Sequence, residues 1–193
     1  MVLLIFISQQ MMKEKKTVIF EKVSTVDPRD VQLPVRKTKD SAGYDFAASE
    51  TVIIPSAYRQ LEKLNFLNKD SNIITLKQME DLTKESGIRP TLVPTGVKAQ
   101  IDKGFYLQLS VRSSFPLKSW IILANGQGII DGDYYNNPAN EGNIMFQLIN
   151  LSPFDIIIDK GDFIGQGVIL PYLTTQNDNS DGVRVGGFGS TDG

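Results

Sequence analysis

Phe105-Tyr106-Leu107-Gln108-Leu109-Ser110-Val111-Arg112 alternates between two chemistries at every step. A period of two sends Phe105, Leu107, Leu109 and Val111 to one face of an extended chain and Tyr106, Gln108, Ser110 and Arg112 to the other. That is the pattern of a strand with one face on a core and one in water. Strand patterning continues outward on both sides. Upstream it covers Thr17 to Val23, ended by Asp27-Pro28, then Thr51 to Pro55 and Thr91 to Val97. Downstream it covers Trp120 to Leu123, Asn143 to Leu151, Phe154 to Asp159 and Phe163 to Leu173. The last of these holds Gly165-Gln166-Gly167 in its interior, where glycine marks a bulge or a close backbone contact and Gln166 is free to face a ligand.

One segment breaks the pattern. Ser56 to Leu67 and Thr75 to Ser86 space apolar residues helically, with Leu76, Met79 and Leu82 on one stripe. Thr75-x-x-Gln78 predicts a capping box and Gly87 a C-terminal stop. Residues 56–90 therefore read as a short helical insertion into an otherwise all-β domain spanning 17–175. Residues 1–16 carry an apolar run far shorter than the roughly 20 residues a membrane span needs. They lack the order of a signal peptide and are expected to be an extension, with Met11 or Met12 the initiator.

Composition narrows the chemistry. The chain has 193 residues, a net charge of −2, no Cys and no His. One domain with a substantial core is expected. A net negative chain has no polybasic footprint for a nucleic-acid polymer, although a small anion in a local basic pocket remains possible. Without Cys there are no disulfides or thiolate nucleophiles, which fits a reducing, cytoplasmic setting. Without imidazole, any general base must be Asp, Glu, Lys or Tyr, and any metal should be a hard, oxygen-ligated ion such as magnesium.

Four stretches carry candidate chemistry. Asn125-Gly-Gln-Gly-Ile-Ile-Asp-Gly-Asp-Tyr-Tyr135 reads as a glycine-opened hairpin with Asp131 at its centre, either a solvated tip or a pocket wall holding a base. Ala42-Gly43-Tyr44-Asp45 sets an acid among small and apolar residues, read as a tight turn in which Asp45 caps backbone amides. Arg112-Ser113-Ser114 puts a guanidinium beside two hydroxyls, a possible phosphate cradle. The tail 176–193 ends in Gly187-Phe188-Gly189-Ser190-Thr191 and is either disordered or a lid that orders over a ligand.

These stretches, with Gly161-Asp162-Phe163-Ile164-Gly165-Gln166, stand in the order of the five motifs of the trimeric all-β dUTPase family, and the chain from Leu33 to Gly193 resembles that family apart from the insertion. The resemblance implies a distorted, jelly-roll-like β-barrel and a homotrimer with shared sites. It implies hydrolysis of dUTP to dUMP and pyrophosphate, with Mg2+ held mainly through the triphosphate, which limits uracil incorporation into DNA and supplies dUMP for dTMP synthesis. Asp131 would activate the water. Asn125 and main-chain groups at Gly128 and Ile130 would read uracil, and Tyr134 would pack beneath the deoxyribose. Arg112, Ser113, Ser114 and Gln166 would hold phosphates, with Asp45 behind them. Phe188 would stack on the base while Gly189 and Ser190 close over the outer phosphates. Arg184 would reach the γ-phosphate only if its shortened link to Phe188 permits.

Two further differences from the family pattern stand out. Phe115 follows the second motif, and Asn136-Asn137-Pro138-Ala139-Asn140-Glu141 follows the third, longer than the usual short turn. The competing expectations are a dCTP deaminase of the same fold and a regulatory trimer that presents residues 56–90 to a partner.

Overall fold

The computed structural model describes residues 18–63, 73–182 and 186. It contains eleven strands: β1 (Val18–Lys22), β2 (Tyr44–Ala47), β3 (Val52–Ile54), β4 (Thr91–Pro94), β5 (Val97–Ile101), β6 (Phe105–Ser110), β7 (Ile121–Leu123), β8 (Gly128–Ile130), β9 (Met145–Asn150), β10 (Ile156–Ile158) and β11 (Phe163–Pro171). Three short helices join them: α1 (Ala57–Lys63), α2 (Leu76–Ser86) and α3 (Ser114–Ser119). The strands form antiparallel sheets ordered β2-β11-β6-β8, β4-β9-β7, β1-β5 and β10-β3. The molecule is all-β with a helical insertion, as expected.

The alternation that opened the reading is realised in β6. Leu107 and Leu109 are buried, and Phe105 and Val111 pack at the edge of the same core with Phe46, Phe146, Leu148 and Ile164. In β11 the interior glycines do what close packing requires. A Cβ on Gly165 would lie 2.0 Å from the Phe146 ring, and one on Gly167 would lie 2.8 Å from Leu107. Ladder register also shifts between Phe163 and Gly165, the irregularity that strand glycines suggested. Gly165→Ala should therefore destabilise the fold by about 3 kcal/mol, because neither β9 nor its ring can retreat without opening the core. At this chain length that is roughly a 6–12 °C fall in Tm, measurable by calorimetry. An unchanged Tm would mean the sheets approach less closely than described.

Several local expectations are corrected. Asp45 caps no amide: it lies within β2, and its own N–H donates to the Val35 carbonyl (3.0 Å). The stretch around Asn125 is not a ladder hairpin, because β7 pairs with β9 whereas β8 pairs with β6. Thr91 to Val97 is not one strand. The chain turns at Thr95-Gly96, where Gly96 has φ +68°, and starts β5. Helix α3 follows directly on Arg112-Ser113, and it accommodates Pro116 because that residue falls in its first turn, where a missing N–H costs nothing.

The insertion's caps are as predicted. Thr75 and Gln78 form a reciprocal capping box, and Gly87 closes α2 in the left-handed region with its amide on Thr83 O. The apolar stripe behaves differently, for α2 buries no residue and Leu76 is 77% exposed. Instead Met79 and Thr83 line an apolar groove of about 410 Å³ with Leu61, Ile88 and the Leu148–Leu151 stretch.

Candidate active site

Three neighbouring strands of one sheet gather Asp45, Gln166 and Ser110. Gln166 in β11 pairs with Asp45 in β2 on one side and Ser110 in β6 on the other, so all three side chains leave the same face. Gln166 Nε2 donates to Ser110 Oγ (3.3 Å). Gly43 makes room for this amide, because a Cβ there would lie 2.5 Å from Gln166 Oε1. Arg112 Nε lies 3.5 Å from Asp45 Oδ1, and its guanidinium stands 5.7 Å from the Phe163 ring centre. Lys37 Nζ lies 4.0 Å from that same centre. Two cations thus share one ring, and one largely buried carboxylate faces them. Asp45 Oδ2 is buried and has no hydrogen-bond partner among the described residues. Ser113 and Ser114 follow, both exposed. A cation, two hydroxyls and a primary amide form a donor set suited to phosphate oxygens.

Asp131 occupies the other end of the sheet. β8 stops at Ile130, Asp131 stays extended (φ −83°, ψ 161°), and residues 132–134 form a 3-10 turn whose Tyr134 N–H donates to Asp131 O (3.2 Å). Asp131 opens onto a cleft of about 480 Å³ walled by Lys103, Phe105 and Tyr172, and onto a smaller adjoining one with Tyr106 and Ile129. That space is in the range of small-ligand pockets. β8 is an edge strand, so one side of its backbone lies outside the ladder with N–H and C=O groups to offer a planar base. Gly128 sits against Leu109, with only 3.0 Å for a Cβ. Asn125 is exposed at the turn where Gly126 takes φ +70°. Ile130 is buried.

Tyr134 is buried at 6% exposure, with its hydroxyl donating to Asn143 O (2.9 Å). Behind it, Ser24 donates to Glu141 through both its N–H and its hydroxyl, which holds that carboxyl below its usual range. The Tyr135 phenol donates to Glu21, and this bond pushes its pKa upward.

Sequence reasoning missed Lys37, Lys103 and Tyr172. Tyr172 reaches the cleft only because its N–H pairs with Gly104 O beyond β11 (3.1 Å), a contact no local pattern encodes. Arg184, Phe188, Gly189 and Ser190 lie outside the described residues.

Asp131 and the Arg112–Asp45 cluster lie apart in this chain. Ile130 pairs with Leu107, which sets Asp131 near the level of Tyr106, and Arg112 lies six positions further along the chain. At about 3.3 Å per residue the four steps from Tyr106 to Ser110 along β6 span roughly 13 Å, and Arg112 lies beyond that end of the strand. Arg112 also reaches across β11 towards β2, away from β8.

Fold and site define a small all-β protein with a carboxylate on an edge-strand turn and a separate cluster of Arg112, Lys37, Ser110 and Gln166 donors around Asp45. The dUTPase family model matches residues 64–192. The deoxyuridine 5'-triphosphate nucleotidohydrolase of Lactococcus lactis subsp. lactis (strain IL1403) is 35% identical over 175 residues, covering 89% of this chain and 95% of its own length. The crystal structure of dUTPase from Streptococcus mutans superposes with TM-score 0.62 at 33% identity, covering 81% of this chain and 97% of its own. The dUTPase of phage phi11 of S. aureus, at 18% identity and TM-score 0.58, covers 86% of this chain and 97% of its own, and shares the fold. The chain belongs to the dUTPase family. Among the described residues, no helix is long and apolar enough to cross a membrane.

Proposed function

We propose that this protein hydrolyses dUTP to dUMP and pyrophosphate at sites built between protomers of a homotrimer. The observation that carries the reading is Asp131 opening onto a nucleoside-sized cleft in a chain with no His or Cys. Its carboxylate takes the proton of a water as the water oxygen attacks the α-phosphorus. The bond from that phosphorus to the bridging oxygen breaks, and pyrophosphate leaves with the electron pair. Arg112, Ser113, Ser114 and Gln166 bind the phosphates and offset the charge that builds on them. Asn125 and the open backbone edge at Gly128–Ile130 read uracil, and the Tyr134 ring lies beneath the sugar. Phe188, Gly189 and Ser190 close the site as part of a C-terminal lid, and Arg184 is a candidate for the γ-phosphate. Pyrophosphate release from dUTP, dTTP, UTP and dCTP, with ammonia measured for dCTP, tests the reading, and ammonia release would overturn it.

Sharing between protomers is supported by the placement of Arg112 beyond one end of β6 and Asp131 beside the other, with the guanidinium directed to Asp45 and away from β8.

Magnesium fits the residues present. The triphosphate oxygens would hold it, and the Asp45 carboxylate beside Arg112 offers a hard oxygen group on the same sheet face as Gln166. The partnerless Asp45 Oδ2 suits a donor such as ion-bound water. When bound, the ion would neutralise phosphate charge. Chelation with EDTA should lower dUTP turnover on the order of tenfold or more, restored by added Mg2+. Full turnover in EDTA would remove magnesium from the reading.

A further inference from the structure

The segment after the Asp131 turn is longer than a reversal needs, and two of its asparagines, Asn137 and Asn140, are bonded to each other and to the local backbone. Asn137 is 4% exposed. Its Nδ2 donates to Tyr134 O and to Asn140 Oδ1 (both 2.8 Å), and its Oδ1 accepts from Ala139 N (3.1 Å) and Asn140 N (3.2 Å). All four of its amide positions are used. Asn140 Oδ1 also accepts from Gly142 N (3.1 Å), while its Nδ2 donates to the Tyr134 hydroxyl (2.9 Å). That hydroxyl in turn donates to Asn143 O (2.9 Å). The phenol is therefore held through its acceptor and its donor at once. The loop bearing Asn140 is itself pinned. Asn136 and Glu141 take positive φ, and a Cβ on Gly142 would lie 2.5 Å from Tyr134 O.

We propose that Asn140, held by Asn137, is a positioning residue that fixes the Tyr134 ring and so sets the selectivity for 2′-deoxyribose over ribose nucleotides. The inference rests on the reading that this ring lies beneath the sugar. A steric wall discriminates only if it does not retreat. A ring anchored by packing alone shifts by a fraction of an ångström to admit a hydroxyl, whereas moving this one breaks one buried and one partly buried hydrogen bond and strands their partners. Tethering of this kind is worth on the order of tenfold or more in discrimination.

The test measures kcat and KM for dUTP and UTP, together with Tm, in the parent, Asn140→Ala, Tyr134→Phe and Tyr134→Ala. Asn140→Ala and Tyr134→Phe should each lower the dUTP/UTP ratio of kcat/KM by about tenfold, with the change concentrated in a lower KM for UTP. Tyr134→Phe keeps the ring and deletes only the anchored hydroxyl, so it decides the matter should Asn140→Ala fail to fold. If both variants keep the parental ratio, whatever happens to Tm, the anchor idea is overturned. If Tyr134→Ala also keeps that ratio, the placement of the ring beneath the sugar falls instead, which separates the two failures.

Discussion

Asp131→Asn is expected to lower kcat for dUTP by about a thousandfold while KM changes by no more than a few-fold. The amide has the carboxylate's size and accepts a hydrogen bond from water, so the cleft walled by Lys103, Phe105 and Tyr172 keeps its shape. What the amide lacks is the capacity to take a proton. With no His or Cys anywhere in the chain, the remaining candidates for that task are carboxylates, lysines and tyrosines held for other purposes. Steady-state pyrophosphate release with Mg2+ present, alongside a Tm to verify folding, gives the answer. A variant as fast as the parent would place the base elsewhere.

Mixing two dead proteins should produce a live one. Arg112→Ala removes the guanidinium from the phosphate cluster, and Asp131→Asn removes the base. If each site draws these groups from different protomers, co-refolding the two variants in equal amounts rebuilds about one quarter of the sites, those that take Asp131 and Arg112 from the two intact donors. Recovery of roughly a quarter of parental turnover from two preparations that are each nearly inactive is a large effect with no background. The double variant Arg112→Ala/Asp131→Asn, refolded with the parent, is the control for assembly. No recovery in the mixture, with mixed oligomers demonstrated by mass, would confine both residues to one protomer's site.

What was legible in the sequence follows from how far each signal reaches. β6 was readable because alternation is a property of consecutive residues, and the caps of α2 were readable because Thr75, Gln78 and Gly87 act on amides within four positions. β2 was not, since four residues pair with β11 more than a hundred positions away, and nothing near Asp45 announces that partner. β7 and β8 flank a turn and look like a hairpin, yet each has its ladder partner in another part of the chain. The stripe on α2 had the right period but said nothing of what it would cover: Met79 lines a groove, and Leu76 is exposed. At the site, the residues that chemistry singles out were visible one by one. The distance between Asp131 and Arg112 was not, because it depends on register across β6.

β9 touches two places that otherwise share nothing. Its C-terminal half and the residues just beyond form one wall of the insertion groove, and near its start Phe146 presses on the bare backbone of Gly165, next to Gln166. No side chain cushions that contact, so β9 and β11 meet there with no room for a methyl group. The same strand therefore borders the groove of the insertion at one end and, at the other, the residue next to the amide that would grip the nucleotide.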